Sequence, residues 1–212
     1  MKKTILSTQY NITDLLPDRH KNDHKAIAGK ALIIAGGKGL CGAALLSAEA
    51  CARSGVGYTY LLTQTPNQVL QHYPDFITYK LSLIHLKQVL KHNQFSVIVI
   101  GPGLGLKNKS LKISILKQVL KNTKIPIILD ADAITLVFEN KSLVSLISQH
   151  GQCVLTPHLK ELQRILQSEY FKMNKIKTQP PVNLSQKGFE FDFKNNTHRE
   201  LVLKDCSEKL NA

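Results

Sequence analysis

A chain of 212 residues with a hydrophobic fraction of 43% is long enough for one domain with its own core, or one domain and a tail. Its four cysteines, Cys41, Cys51, Cys153 and Cys206, form no CxxC pair, which argues against a disulfide scaffold and for reduced thiols. The net charge of +13 is spread along the chain: residues 1–165 carry 20 Lys and Arg against 9 Asp and Glu, and residues 166–212 carry 8 against 6, so no terminal basic arm stands out.

Met1-Lys2-Lys3 is followed by polar residues rather than an apolar run, and no stretch approaches the roughly 18 apolar residues of a membrane span. The expectation is a cytoplasmic protein without membrane association. Residues 1–26 read as a lead-in. Ala31–Ala35 is then a buried strand ending at Gly36-Gly37, and residues 42–54 form a helix rich in small side chains. Residues 57–63 are strand-like. Leu83, Leu86, Val89 and Leu90 have helical spacing over 82–92, and Val97–Ile100 is the next strand. In residues 107–121, Leu111, Ile115, Leu116, Val119 and Leu120 make an apolar stripe, and the lysines are expected to alternate around it on a solvated face. A strand over 125–129, short helices over 133–139 and 142–149, a strand over 152–155 and a helix over 159–166 complete the pattern. Fully apolar strands alternating with helices predict an α/β fold: a parallel sheet in a three-layer α/β/α sandwich, with helices on both faces. The pattern breaks after residue 166, and 167–212 read as a divergent tail in which alternating Phe189, Phe191 and Phe193 make at most one strand.

Parallel sheets bind ligands beyond the carboxyl ends of their strands. Four chemically unusual segments follow directly after strands. Gly36–Gly42 is a glycine-rich turn opening a helix, whose free N–H groups suit an anion or serve as a plain tight turn. Gly101-Pro102-Gly103-Leu104-Gly105 has more glycines than a sharp turn needs. Asp130-Ala131-Asp132 offers two carboxylates for acid–base work or for Mg²⁺ held through water, with helix capping by Asp132 as the alternative. Thr156-Pro157-His158 offers a loop histidine for ligand contact, with Thr156 as a helix cap and Glu161 as a capping-box partner or a polar site residue. His20, His24, His72, His85, His92, His150 and His198 show no metal-ligand spacing beyond His20/His24, so no resident metal site is expected. The positive charge suits anionic ligands such as dinucleotides and leaves a basic nucleic-acid-binding protein as an alternative reading, against which the lysines lie on several helices and no nucleic-acid-binding motif accompanies them.

Taken together, these segments resemble, in order and spacing, the ADP- or ATP-dependent NAD(P)H-hydrate dehydratases of the ribokinase-like superfamily. His24-Lys25 followed by Gly29–Gly36 resembles the family's opening. Gly42-Ala43-Ala44, Ala50 and Ser54-Gly55-Val56-Gly57 resemble its GAA…A…AGAG pattern. Gly101–Gly105 resembles its GPGLG, Leu129–Ala133 its LDADAL, and Leu155–His158 with Glu161 and Arg164 its LTPHPGEFxRL. The resemblance covers residues 27–166. It implies dehydration of hydrated NADH or NADPH, a nucleotide-repair reaction using ADP or ATP with Mg²⁺, in a homo-oligomer. Carried over by position, it makes Ala43, Gly103 and His158 contacts to the hydrated dinucleotide, with Gly42, Ala44 and Gly105 beside them in the same loops.

The sequence departs from that pattern. His24-Lys25-Ala26 stands for HKG, and Leu159-Lys160 for Pro-Gly. Beyond Arg164, Lys187-Gly188 lacks the apolar strand that precedes the family's nucleotide loop, and no Gly-Thr-Gly-Asp occurs, whose Asp the resemblance implies as the base. The expectations are, in order, a degraded or frameshifted product incomplete at its C-terminus, a dinucleotide binder without turnover, or an enzyme in which Asp130 or Asp132 supplies the base. A fold cut in this way is expected to leave an open sheet edge and to associate.

Overall fold

The computed structural model describes residues 24–167. The lead-in up to residue 23, with His20, lies outside them, as do 168–212 with the Phe189–Phe193 alternation, Lys187-Gly188, His198 and Cys206. The apolar runs become the central strands: β1 (Lys30–Ile34), β2 (Tyr58–Thr63), β4 (Val97–Ile100), β5 (Ile127–Leu129) and β6 (Cys153–Leu155). A further strand, β3 (Ile77–Lys80), and the short helix α2 (Pro66–His72) before it carry no strong pattern in the sequence and were not anticipated. β3 is an edge strand whose residues are at most half-buried, so it needs no apolar run. The remaining helices are α1 (Cys41–Arg53), α3 (Leu83–His92), α4 (Lys109–Asn122), α5 (Asp132–Phe138), α6 (Lys141–His150) and α7 (Leu159–Gln167).

All strands run parallel in the order β3-β2-β1-β4-β5-β6, with Leu32 beside Tyr60 and Ile98, and Ile100 beside Leu129. The chain builds outward from β1 to β3 and then restarts at β4 on the other side of β1. The connections leaving β1 and β4 therefore run to opposite sides of the sheet, which makes the carboxyl ends of this pair the switch point, the crevice position where parallel sheets bind ligands. Alternation along each strand divides the apolar side chains between two layers. Leu32, Ile34, Leu62, Ile98, Ile100, Ile127 and Leu129 join the large core beneath α3, α4, α5 and α6. Ile33, Ala35 and Leu61 face the smaller core with Ala44 and Ala48 of α1, Val69 of α2 and Phe76.

The expectation that helices cover both faces holds over β1 and β2. On the second face of β5 and β6, Ile128 and Val154 are only half-buried among the described residues. The lysine expectation for α4 needs a correction at one position. Its buried stripe is Lys112, Ile115, Leu116, Val119 and Leu120, while Leu111 is only half-buried. Lys112 is 1% exposed and lies in the core face rather than around it. The signal was present in the spacing, since 112 precedes Leu116 by four residues and Ile115 by three. Its charge was what argued for the outside.

Candidate functional site

Of the loops that leave the carboxyl end of the all-parallel sheet, those after β1, β4, β5 and β6 carry the candidate residues. Those after β1 and β4 flank the crevice and are sewn to each other. The Gly36 N–H donates to the Pro102 carbonyl at 3.0 Å, and the Gly37 N–H to that of Gly103 at 2.6 Å. This proximity demands glycine. A Cβ on Gly37 would lie 2.7 Å from the Leu104 carbonyl oxygen, and one on Gly103 would lie 2.7 Å from the Ala43 Cβ. At Gly101, with φ +128°, a Cβ would fall 1.8 Å from the Asp130 carbonyl oxygen, so the loops after β4 and β5 are also in backbone contact. The glycine excess of residues 101–105 thus serves backbone packing on two sides.

The sequence candidates occupy distinct places in this arrangement. Ala43 meets Gly103 across the crevice loops. Gly42, second residue of α1, is exposed, and a Cβ there would meet nothing within 4 Å. Ala44 is fully buried in the smaller core beneath Gly36. Gly105, with φ +74°, donates its N–H to Asp132 Oδ2 at 2.7 Å. Asp132 is therefore not the cap of α5. It is the first helical residue, and the preceding Ala131, at φ +48° and ψ −120°, turns the chain so that the carboxylate reaches back to the β4 loop. The Ala133 N–H to Asp130 carbonyl bond at 3.1 Å closes this turn.

Asp130 is tied to the next strand, since Thr156 Oγ1 donates to its Oδ1 at 2.8 Å. Thr156 is thus a crosslink between the loops after β5 and β6 rather than the cap of α7. The cap is His158. Its Nδ1 accepts the N–H of Lys160 at 3.1 Å and that of Glu161 at 3.4 Å, while Glu161 Oε2 accepts the His158 N–H at 2.9 Å. The capping-box reading of Glu161 is correct with a different partner. The His158 ring is half-exposed, its Nε2 lies 3.2 Å from Glu161 Oε1, and its hydrogen bonds stay within the first turn of α7. It stands at the end of β6, two strands from β4.

The residue missed by sequence reasoning is Lys112. Its Nζ donates to the carbonyl of Gly105 at 2.6 Å and to that of Lys107. Burial pushes the ammonium below its ordinary value, and the Asp132 carboxylate opposes that shift. No group of three or more His, Cys, Asp or Glu side chains gathers as a metal site among the described residues. None of their helices is long and apolar enough to cross a membrane.

Comparison with known proteins places this arrangement. A family model described as NAD(P)H-hydrate dehydratase matches residues 31–187. The bifunctional NAD(P)H-hydrate repair enzyme of Vibrio cholerae is 34% identical over 157 residues, which is 73% of this chain and 30% of that protein. The ADP-dependent (S)-NAD(P)H-hydrate dehydratase of Listeria monocytogenes is 33% identical over 154 residues, 71% of this chain and 53% of that protein. The chain thus spans about half or less of the length of these curated relatives. Among solved structures, a ribokinase-like superfamily protein of Enterococcus faecalis superposes with a TM-score of 0.59 at 29% identity, covering 74% of this chain and 56% of that one. The ADP/ATP-dependent NAD(P)H-hydrate dehydratase of Bacillus subtilis, co-crystallized with ATP/Mg²⁺, gives 0.54 at 25% identity, covering 76% and 55%. The fold is the ribokinase-like α/β fold, and the chain belongs to the NAD(P)H-hydrate dehydratase family.

Proposed function

We propose that this chain binds hydrated NADH or NADPH along the crevice between the β1 and β4 loops, as the substrate side of an ADP- or ATP-dependent dehydration. The observation that carries the reading is the joined pair of glycine loops at the point where the strand order reverses, with Gly37 and Gly103 bringing bare backbone together. Gly42, Ala43, Gly103 and Gly105 line the ligand side in this reading. Ala44 supports them from the core, and His158 contacts the ligand from the end of β6. Either Asp130 or Asp132 acts as the base, although each already accepts a hydrogen bond, from Thr156 and Gly105 respectively.

Mg²⁺ bound with a nucleotide is typically held by one or two carboxylates besides phosphate and water oxygens, and Asp130 and Asp132 would be the candidates among the described residues. Each accepts a hydrogen bond from a neighbouring loop, and no cluster of three ligating side chains gathers there. The positive charge of the chain favours a polyanionic dinucleotide by long-range attraction. The reading also makes the chain a homo-oligomer that covers the edge at β6, the outer strand of the described sheet.

The deciding experiment incubates the protein with hydrated NADH and ADP or ATP with Mg²⁺, following the return of reduced-nicotinamide absorbance. Return of the signal establishes turnover. Calorimetric binding of hydrated NADH without return establishes a binder that does not turn over. Absence of both the absorbance return and the calorimetric binding overturns the proposal. Sedimentation equilibrium reads the association, and a stable monomer would remove that part.

A further inference from the structure

Lys112 lies outside everything the reading above uses. The rest of its face on α4 is Ile115, Leu116, Val119 and Leu120, all in the core. A buried ammonium there is costly, and an apolar side chain of similar volume would pack as well or better. Its contacts show what it does instead. Gly105 is gripped at both ends of one residue: Asp132 Oδ2 takes its N–H at 2.7 Å, and Lys112 Nζ donates to its carbonyl at 2.6 Å. The second Nζ bond, to the Lys107 carbonyl, extends the grip two residues along the loop. Gly101, Gly103 and Gly105 all have positive φ, so this stretch has much conformational freedom to lose. The β1 loop restrains it from one side through Pro102 and Gly103. The two charged side chains restrain it from the other, with bonds that are stronger than neutral ones.

We propose that Lys112 and Asp132 form a charged clamp on Gly105 that fixes the backbone of residues 103–107 for the dinucleotide, which makes Lys112 a positioning residue of the binding site. The proposal rests on the dinucleotide reading above. It predicts a separation between affinity and stability. A lysine that merely supports the fold would alter both together, whereas one that sets the loop alters affinity while the core stays intact.

The test uses the full chain and Lys112→Met, which keeps the stem out to the ε position and removes the ammonium with its donors. Calorimetry with hydrated NADH should show affinity falling by about tenfold, the scale of the ordering cost that a loosened loop adds to binding. The thermal midpoint should stay level or rise. Amide exchange should quicken over residues 103–107 and stay unchanged over Ile115–Leu120. If the Met variant does not fold, Lys112→Gln, which replaces the ammonium by a neutral, shorter-reaching amide, is compared in the same way. Unchanged affinity with unchanged loop exchange would overturn the clamp, as would exchange that quickens equally in loop and core. A wild-type chain that binds no hydrated NADH overturns the dinucleotide reading itself. The exchange comparison needs no ligand and still decides whether Lys112 fixes the loop.

Discussion

Glu161 and His158 hold each other at the start of α7: one Glu161 oxygen accepts the His158 N–H at 2.9 Å, and the His158 ring accepts the Glu161 N–H at 3.4 Å. This reciprocity makes Nδ1 the unprotonated nitrogen of the neutral ring and leaves Nε2–H to face Glu161 Oε1 at 3.2 Å. Glu161→Ala should therefore cost about 1 kcal/mol in urea denaturation through loss of the cap. Nitrogen chemical shifts should report Nδ1 as the unprotonated atom in the wild type. A ring protonated at Nδ1 when neutral would contradict this arrangement.

Gly42 and Gly103 should respond in opposite ways to the same substitution. Gly42 is exposed and helical with open space around a Cβ, so Gly42→Ala should raise stability by about 0.5–1 kcal/mol. If the crevice holds the dinucleotide, the added methyl should weaken calorimetric binding of hydrated NADH at the same time. Gly103→Ala meets both a φ of +56° and a Cβ contact of 2.7 Å with Ala43, and should lose about 1–3 kcal/mol. Equal effects of the two substitutions would contradict the described loop packing.

Ala131 carries a side chain at φ +48° and ψ −120°, a conformation that glycine adopts with less strain. Ala131→Gly should stabilise the chain by about 1 kcal/mol, the relieved strain exceeding the extra freedom gained by the unfolded chain. Thermal unfolding checks it, and a lower midpoint would show that the turn is not strained.

His150 should govern the acid limb of stability. Its ring is 6% exposed. Burial holds it below the ordinary imidazole value, and the nearby Lys124 adds to the shift, against an opposing hydrogen bond with Thr123. The folded state thus binds the proton less readily than the unfolded state. The stability is fully present above the ordinary imidazole value of about 6.5 and is lost as pH falls through it toward the depressed folded value. Urea midpoints at about pH 8 and about pH 5 should differ less in His150→Gln than in the wild type. An unchanged difference would remove His150 as the cause.

The sequence by itself determined the strands that must be buried on a parallel sheet, because Val97–Ile100 and its counterparts have no polar face to turn to water. It also determined where the unusual loops fall, since Gly101–Gly105 and Asp130–Asp132 follow those strands directly. It could not reveal β3, whose half-buried edge position asks for no apolar run. It misassigned Lys112 because charge normally outweighs spacing, and only the folded chain brings the Gly105 and Lys107 carbonyls within reach of that ammonium. The partners of Asp132 and Thr156 were likewise decided by tertiary structure, whereas those of His158 are local to α7. Asp132 meets Gly105 across 27 residues of chain and Thr156 meets Asp130 across 26, distances over which local capping preferences carry no information.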